Sequence, residues 1–142
     1  MPDDREFIQS VKFDPEIDVL AWPAKRKRYE NPYTYLVQKS TIPFGIKTHE
    51  LTATRLLLFK WDIIHIHWPE IVLTKRSLFT QFLAGSALLV LLWLQRSING
   101  TKIVWTIHNE EAHEIHHLRW GSFYMSRFTH LVDGIIVLTE AS

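Results

Sequence analysis

The chain has 142 residues, of which 46% are hydrophobic, and its formal net charge at pH 7 is +1. This composition predicts one domain with a sizeable core, and the near-neutral charge excludes the basic footprint of a nucleic-acid-binding protein. The lack of cysteine excludes disulfide scaffolds and thiolate metal sites. The first residues contain no basic segment followed by an apolar one, so we expect no secretory signal and a cytoplasmic location.

The first third of the chain predicts a strand, a helix and a second strand. Residues Ile17–Trp22 (IDVLAW) form a short apolar run typical of a strand, and a basic loop follows them. Asn31 and Pro32 predict a helix start, because Asn caps helices and Pro fits the first helical position. Pro43 and Gly45 interrupt the next apolar stretch, which favours a strand at the edge of a sheet.

The rest of the chain continues this alternation. Apolar runs predict three more strands, at Trp61–His67, Lys102–Ile107 and Ile135–Leu138. Between them lie a connector or helix end at 50–60, a long uncharged helix from Ser77 that stops at Asn99-Gly100, and a helix at Leu118–Val132. Strands that alternate with helices predict an α/β fold, a Rossmann-like parallel sheet with helices on both faces, and one domain over 1–142.

The strand that begins at Trp61 ends in polar and aromatic residues. His65 and His67 alternate along it and therefore point to one face of the sheet, while Ile64 and Ile66 point to the other. Trp68, Pro69 and Glu70 follow, and the Trp ring offers a flat face for a sugar ring or a lipid chain, or closes the end of the core. Because ligands bind at the carboxyl ends of parallel strands, we predict that His65, His67, Trp68 and Glu70 bind substrate.

The strand Lys102–Ile107 ends in a second polar cluster, formed by His108, Asn109, Glu110, Glu111, His113 and Glu114. A neutral imidazole can donate a hydrogen bond to a sugar hydroxyl or a phosphate oxygen, and a carboxylate can serve as a general base. We predict that His108, Glu110 and Glu111 are catalytic and that Asn109, His113 and Glu114 bind substrate. The alternative is a solvated acidic loop at a helix N-terminus.

A metal site is a competing interpretation of this second cluster. The segment HEIHH, from His113 to His117, fits the H-E-x-x-H pattern of zinc hydrolases, with Glu114 as the general base and Glu140 downstream as a tempting third ligand. However, the segment follows a strand directly, and half of the eight histidines of the chain lie between His108 and His117, so a chance match is easy. We predict no metal, and a zinc-dependent hydrolase stays an alternative.

The uncharged run from Leu78 to Leu94 has two interpretations. About seventeen helical residues span about 25 Å, slightly less than the roughly 30 Å hydrocarbon core of a bilayer. We favour a crossover helix, because the chain has to return to a parallel strand, over a transmembrane helix. The run from Leu88 to Leu94 is apolar around the whole circumference, so one face stays exposed. This face predicts peripheral membrane contact on the inner face, and a partner-binding surface is the alternative.

The segments DIIHIHWPE, TKIVWTIHNEEAHE and DGIIVLTEAS, in this order around a leucine-rich helix, resemble the N-terminal half of a GT-B glycosyltransferase. The similarity is to family 4-like enzymes, including glucuronosyl- and mannosyltransferases that build lipid-linked sugars and exopolysaccharides. It implies an acceptor-side domain of an enzyme that moves a sugar from a nucleotide-sugar donor to a lipid-linked or saccharide acceptor, without a metal or other cofactor. It also implies that His108 reaches the transferred sugar, and that Asn31, Tyr33 and Glu140 contact substrate.

The sequence departs from this family at two places. The first loop is often glycine-rich in the family, whereas here it contains Lys25, Arg26, Lys27 and Arg28, so any phosphate contact there would come from side chains. The donor-binding motifs are expected in a second domain, and the sequence ends at Ser142. We therefore expect either a fragment or a half-enzyme completed by a partner chain. A non-catalytic subunit that recruits a donor-binding partner is the further alternative.

Overall fold

A computed structural model describes residues 16–24, 32–107 and 118–137. Within these ranges the strands are β1 (Ile17–Trp22), β2 (Ile46–Glu50), β3 (Ile63–Ile66), β4 (Lys102–Ile107) and β5 (Gly134–Val137). The α-helices are α1 (Pro32–Thr41), α2 (Ala53–Leu58), α3 (Leu78–Asn99) and α4 (Leu118–Leu131), and short 3-10 helices cover Ile42–Phe44 and Pro69–Thr74. The predicted alternation of strands and helices is confirmed, and the predicted connector at 50–60 contains helix α2.

The five strands form one parallel sheet in the order β2-β1-β3-β4-β5. Strand β2 lies at an edge of the sheet, as Pro43 and Gly45 predicted. Since all five strands are parallel, their carboxyl ends meet at the same edge of the domain. This arrangement confirms the predicted α/β, Rossmann-like fold.

The main hydrophobic core lies on one face of the sheet. Leu20, Ile64 and Ile103 point from neighbouring strands into this core. Helices α2, α3 and α4 cover it with buried apolar side chains, namely Leu56, Leu88, Leu92, Tyr124 and Phe128. Helix α1 packs on the opposite face, because β2 lies on the other side of β1 from β3 and crossover connections are right-handed.

Helix α3 is long and apolar enough, by length and composition alone, to cross a membrane. In the fold it connects β3 to β4, which is the predicted crossover. Its inward stripe is buried and consists of Gln81, Gly85, Leu88, Leu92 and Gln95. Its outward residues Val90 and Trp93 stay more than half exposed. The helix ends at Gly100, whose φ of 71° is left-handed and whose N–H donates to the Gln95 carbonyl.

Candidate functional site

Two histidines at the carboxyl end of β3 form the centre of the candidate site. The His65 and His67 rings lie on the same side of the sheet with their centroids 4.2 Å apart, which confirms the predicted alternation. The His65 Nε2 atom lies 2.7 Å from the Thr106 hydroxyl oxygen on the neighbouring strand β4. His67 is buried, and its backbone N–H donates to the Trp22 carbonyl at the end of β1. Hydrogen bonds to the two neighbouring strands therefore hold the His65 ring and the His67 backbone.

Aromatic rings flank this imidazole pair. The Tyr33 ring, at the start of α1, meets His67 edge-on at 6.3 Å between centroids. The Trp68 ring is half-buried, and its centroid lies 5.7 Å from that of the His67 ring. Tyr33, His65, His67 and Trp68 are hereafter called the ring cluster. Aromatic faces beside hydrogen-bonding imidazoles suit a sugar, which has apolar C–H faces and hydroxyl groups.

Glu70 lies beyond the ring cluster in the 3-10 helix Pro69–Thr74 and is partly buried. The buried Tyr124 hydroxyl donates to the Pro69 carbonyl at 3.1 Å and so ties this segment to α4. Burial, and secondarily the negative charge of Glu70, raises the pKa of the Tyr124 phenol, so the hydroxyl stays protonated as a donor. A Cβ atom at Gly85 would lie 3.1 Å from the Tyr124 ring, which explains a glycine where α3 approaches α4.

Sequence reasoning missed three residues that organise this edge of the sheet. Glu50, at the end of β2, accepts a hydrogen bond from the Ala24 backbone N–H at 3.1 Å. The Thr34 hydroxyl on α1 donates to the Ala24 carbonyl at 3.3 Å. Thr106 is buried beside His65. Glu50 carried a usable signal, because it is a charged residue that ends an edge strand, whereas the two threonines carry no signal of their own in the sequence.

The structure brings together Tyr33, His65, His67 and Trp68, with Glu70 two residues beyond the cluster. The other predicted site residues lie outside the described residues, as does the whole HEIHH segment: Asn31, His108, Asn109, Glu110, Glu111, His113, Glu114 and Glu140. The same holds for the basic residues 25–28. Within ranges 16–24, 32–107 and 118–137, no three His, Asp or Glu side chains are grouped to hold a metal ion. The predictions for His108 and the carboxylates beside it therefore stay predictions.

Comparison with known proteins found matches among curated sequences. No family profile and no solved structure matches the chain. Two curated sequences from Xanthomonas campestris pv. campestris, one of them from a named strain, are each 32% identical to it over 100 residues. Both are named GDP-mannose:glycolipid 4-beta-D-mannosyltransferase, and the match covers 70% of this chain but only 28% of each relative. This similarity supports a relationship between the chain and glycosyltransferases.

Proposed function

We propose that the chain is the acceptor-side domain of a GT-B glycosyltransferase. In this proposal a nucleotide-sugar donor, of which GDP-mannose is the first candidate, binds mainly to a second domain or a partner chain. A glycolipid or other saccharide acceptor binds at the ring cluster. The observation that carries the proposal is the ring cluster itself, at the carboxyl edge of a parallel sheet in a chain similar to glycolipid mannosyltransferases.

The chemistry of the ring cluster fits an acceptor better than a nucleotide. Aromatic ring faces suit the C–H face of a sugar, and imidazole nitrogens can donate to or accept from its hydroxyl groups. The Thr106 hydroxyl contacts one nitrogen of His65 and so fixes the orientation of that ring. His108 follows directly after β4, so the proposal assigns it the contact with the transferred sugar, and assigns general-base or orienting roles to Glu110 and Glu111.

The proposal includes a cellular location. A glycolipid acceptor is anchored in a membrane, so the enzyme would work peripherally on the inner face of that membrane, from the cytoplasm. It would take part in the synthesis of lipid-linked sugars or polysaccharides. No step of this assignment requires a metal ion, because the donor half would supply the contacts to the diphosphate.

A binding experiment on the 142-residue chain tests the assignment of the acceptor side. We expect saturation-transfer NMR to detect binding of alkyl glycosides of one to three sugars to the chain. At the same concentrations it should detect no binding of GDP-mannose. Replacing Trp68 with Ala should weaken glycoside binding about tenfold, because a stacking face is lost. Phe44→Ala is the matched control. Phe44 is an exposed aromatic residue just before β2, at the amino ends of the strands and so away from the ring cluster.

Circular dichroism would show that both variants fold. Tight binding of GDP-mannose without glycoside binding would overturn the acceptor-side assignment. Equal losses of glycoside affinity in Trp68→Ala and Phe44→Ala would remove the ring cluster from the site.

A further inference from the structure

The outward surfaces of α3 and α4 form an exposed apolar face. Its members are between 49% and 72% exposed, and we call them the outer helical face: Phe79, Phe82, Leu83, Val90, Trp93 and Phe123. The groove between the two helices has a volume of about 570 Å³, and Trp120 and Leu89 contribute to its lining. The Trp120 ring contacts Phe82 at 4.9 Å and stacks on Phe123 at 5.6 Å, so the aromatic surface is continuous between the helices.

The charged side chains of α3 and α4 themselves are all cationic, and one of them, Arg96, is paired with Asp133. Across their whole lengths, α3 and α4 contain no Asp or Glu, although the chain has 15 acidic residues. Their charged side chains are Arg96, Arg119 and Arg127, and Lys75 and Arg76 precede α3. The Arg127 guanidinium lies over the Phe123 ring, 5.2 Å from its centroid, so its charged head sits beside the apolar face.

We propose that the outer helical face docks on an anionic lipid surface. Exposed Phe, Trp and Leu side chains can enter the boundary between headgroups and acyl chains, while the arginines contact the anionic headgroups. A second copy of the chain is a poorer occupant, because it would bring Arg119 and Arg127 against the same residues of the other copy, and neither α3 nor α4 carries a carboxylate to offset them. The inference identifies the surface that binds the membrane and stands independently of sugar transfer.

The position of the face agrees with this occupant. Helix α3 begins after the 3-10 helix that follows the ring cluster, so Phe79, Phe82 and Leu83 lie towards the carboxyl edge of the sheet. The Tyr124 hydrogen bond to Pro69 joins α4 to the same segment. A domain seated on lipid through this face would therefore hold the start of α3, which follows the ring cluster in the chain, at the headgroups.

Vesicle flotation of the 142-residue chain tests the inference. We expect binding to vesicles of phosphatidylcholine with 30% phosphatidylglycerol, weaker binding to pure phosphatidylcholine, and partial release by 0.5 M salt. Leu83→Gln should lower the partition coefficient about five- to tenfold. Leu36→Gln is the matched control. Leu36 is 57% exposed and Leu83 is 60% exposed, but Leu36 lies on α1, on the other face of the sheet.

A second pair of variants tests the electrostatic part. Arg127→Gln should lower the partition coefficient about fivefold on anionic vesicles and leave binding to neutral vesicles unchanged. Lys39→Gln, at the end of α1, should have no effect. Equal losses in Leu83→Gln and Leu36→Gln, or no binding to anionic vesicles, would overturn the inference. Self-association that Leu83→Gln abolishes, in a chain that does not float with vesicles, would assign the face to a second copy instead.

Discussion

The two ends of strands β3 and β4 use polar side chains in different ways. At the amino end, the Gln95 side-chain nitrogen donates to the Leu56 and Phe59 carbonyls, and its oxygen accepts from Thr101 and Asn99. These bonds join α2, α3 and the start of β4. At the carboxyl end, the rings of His65, His67, Tyr33 and Trp68 contact one another, and Nε2 of His65 lies 2.7 Å from the Thr106 hydroxyl oxygen.

This difference separates polar groups that hold the fold from polar groups suited to a ligand. A side chain that saturates buried backbone carbonyls has no capacity left for a substrate, and its loss leaves those carbonyls unsatisfied. Aromatic rings at the carboxyl ends of parallel strands lie where ligands bind in such sheets, and their faces suit a sugar. We therefore expect substitutions at the amino end to reduce stability and substitutions at the carboxyl end to reduce binding or turnover.

The largest stability loss is expected for Gln95→Ala. The substitution leaves two backbone carbonyls short of a donor, whereas the Thr101 hydroxyl still donates to the Trp61 carbonyl, and it should lower the free energy of unfolding by about 3 kcal/mol. Urea denaturation followed by circular dichroism measures this change. Asn99→Ala is the control, because it removes one partly exposed hydrogen bond and should cost less than about 1 kcal/mol. Equal losses of unfolding free energy in Gln95→Ala and Asn99→Ala would show that the buried bonds of Gln95 do not hold the amino end together.

The fold was largely predictable because its signals are local. The apolar runs gave β1 and β4 with the bounds that the structure shows, and Asn99-Gly100 marked the end of α3. The predicted strand Trp61–His67 is shorter in the structure, at Ile63–Ile66, and the Trp61 indole N–H donates to the Arg55 carbonyl. That bond depends on packing between α2 and β3, which periodicity in the sequence does not encode.

The candidate site was predictable only in part. The alternation of His65 and His67 predicted their common face, but the contact with Tyr33 depends on how α1 docks over the sheet.

The exposed side of α3 was also predictable only in part. The sequence indicated excess apolar surface in Leu88–Leu94, whereas Leu88 and Leu92 face the core, and exposure falls on Val90 and Trp93. Which stripe of an all-apolar helix is covered is decided by its neighbours.

At the carboxyl end of β4 we expect the opposite behaviour: a substitution of His108 should reduce turnover and not stability. In the complete enzyme, His108→Ala should lower the rate of sugar transfer about ten- to a hundredfold, because a hydrogen bond to a charged or developing-charge group contributes about 1.5–3 kcal/mol. The free energy of unfolding should change far less than in Gln95→Ala. His130→Ala is the control, since His130 lies exposed on α4 with Nδ1 2.6 Å from the Ser126 carbonyl oxygen. Wild-type transfer rates in His108→Ala would remove this histidine from the site.

The smallest effect is expected for Asp133, at the amino end of the sheet, where the contribution to stability depends on pH. Asp133 accepts hydrogen bonds from Arg96 and from the Ile103 backbone N–H, and so ties β5 to α3 and β4. Burial alone would raise the pKa of its carboxyl group, but these hydrogen bonds and the charges of Arg96 and Lys102 together hold that pKa below the ordinary 3.8.

Because the pKa is lower in the folded state than in the unfolded state, ionised Asp133 stabilises the fold above about pH 4, and this contribution is lost as the pH falls through the folded-state pKa. Asp133→Asn should therefore lower the free energy of unfolding by under about 1 kcal/mol at pH 7, since one side of the ion pair is exposed, and by less at pH 3. Urea denaturation at both pH values measures the difference. A loss in Asp133→Asn that is the same at pH 3 and pH 7 would show that the carboxylate acts through shape and not through charge.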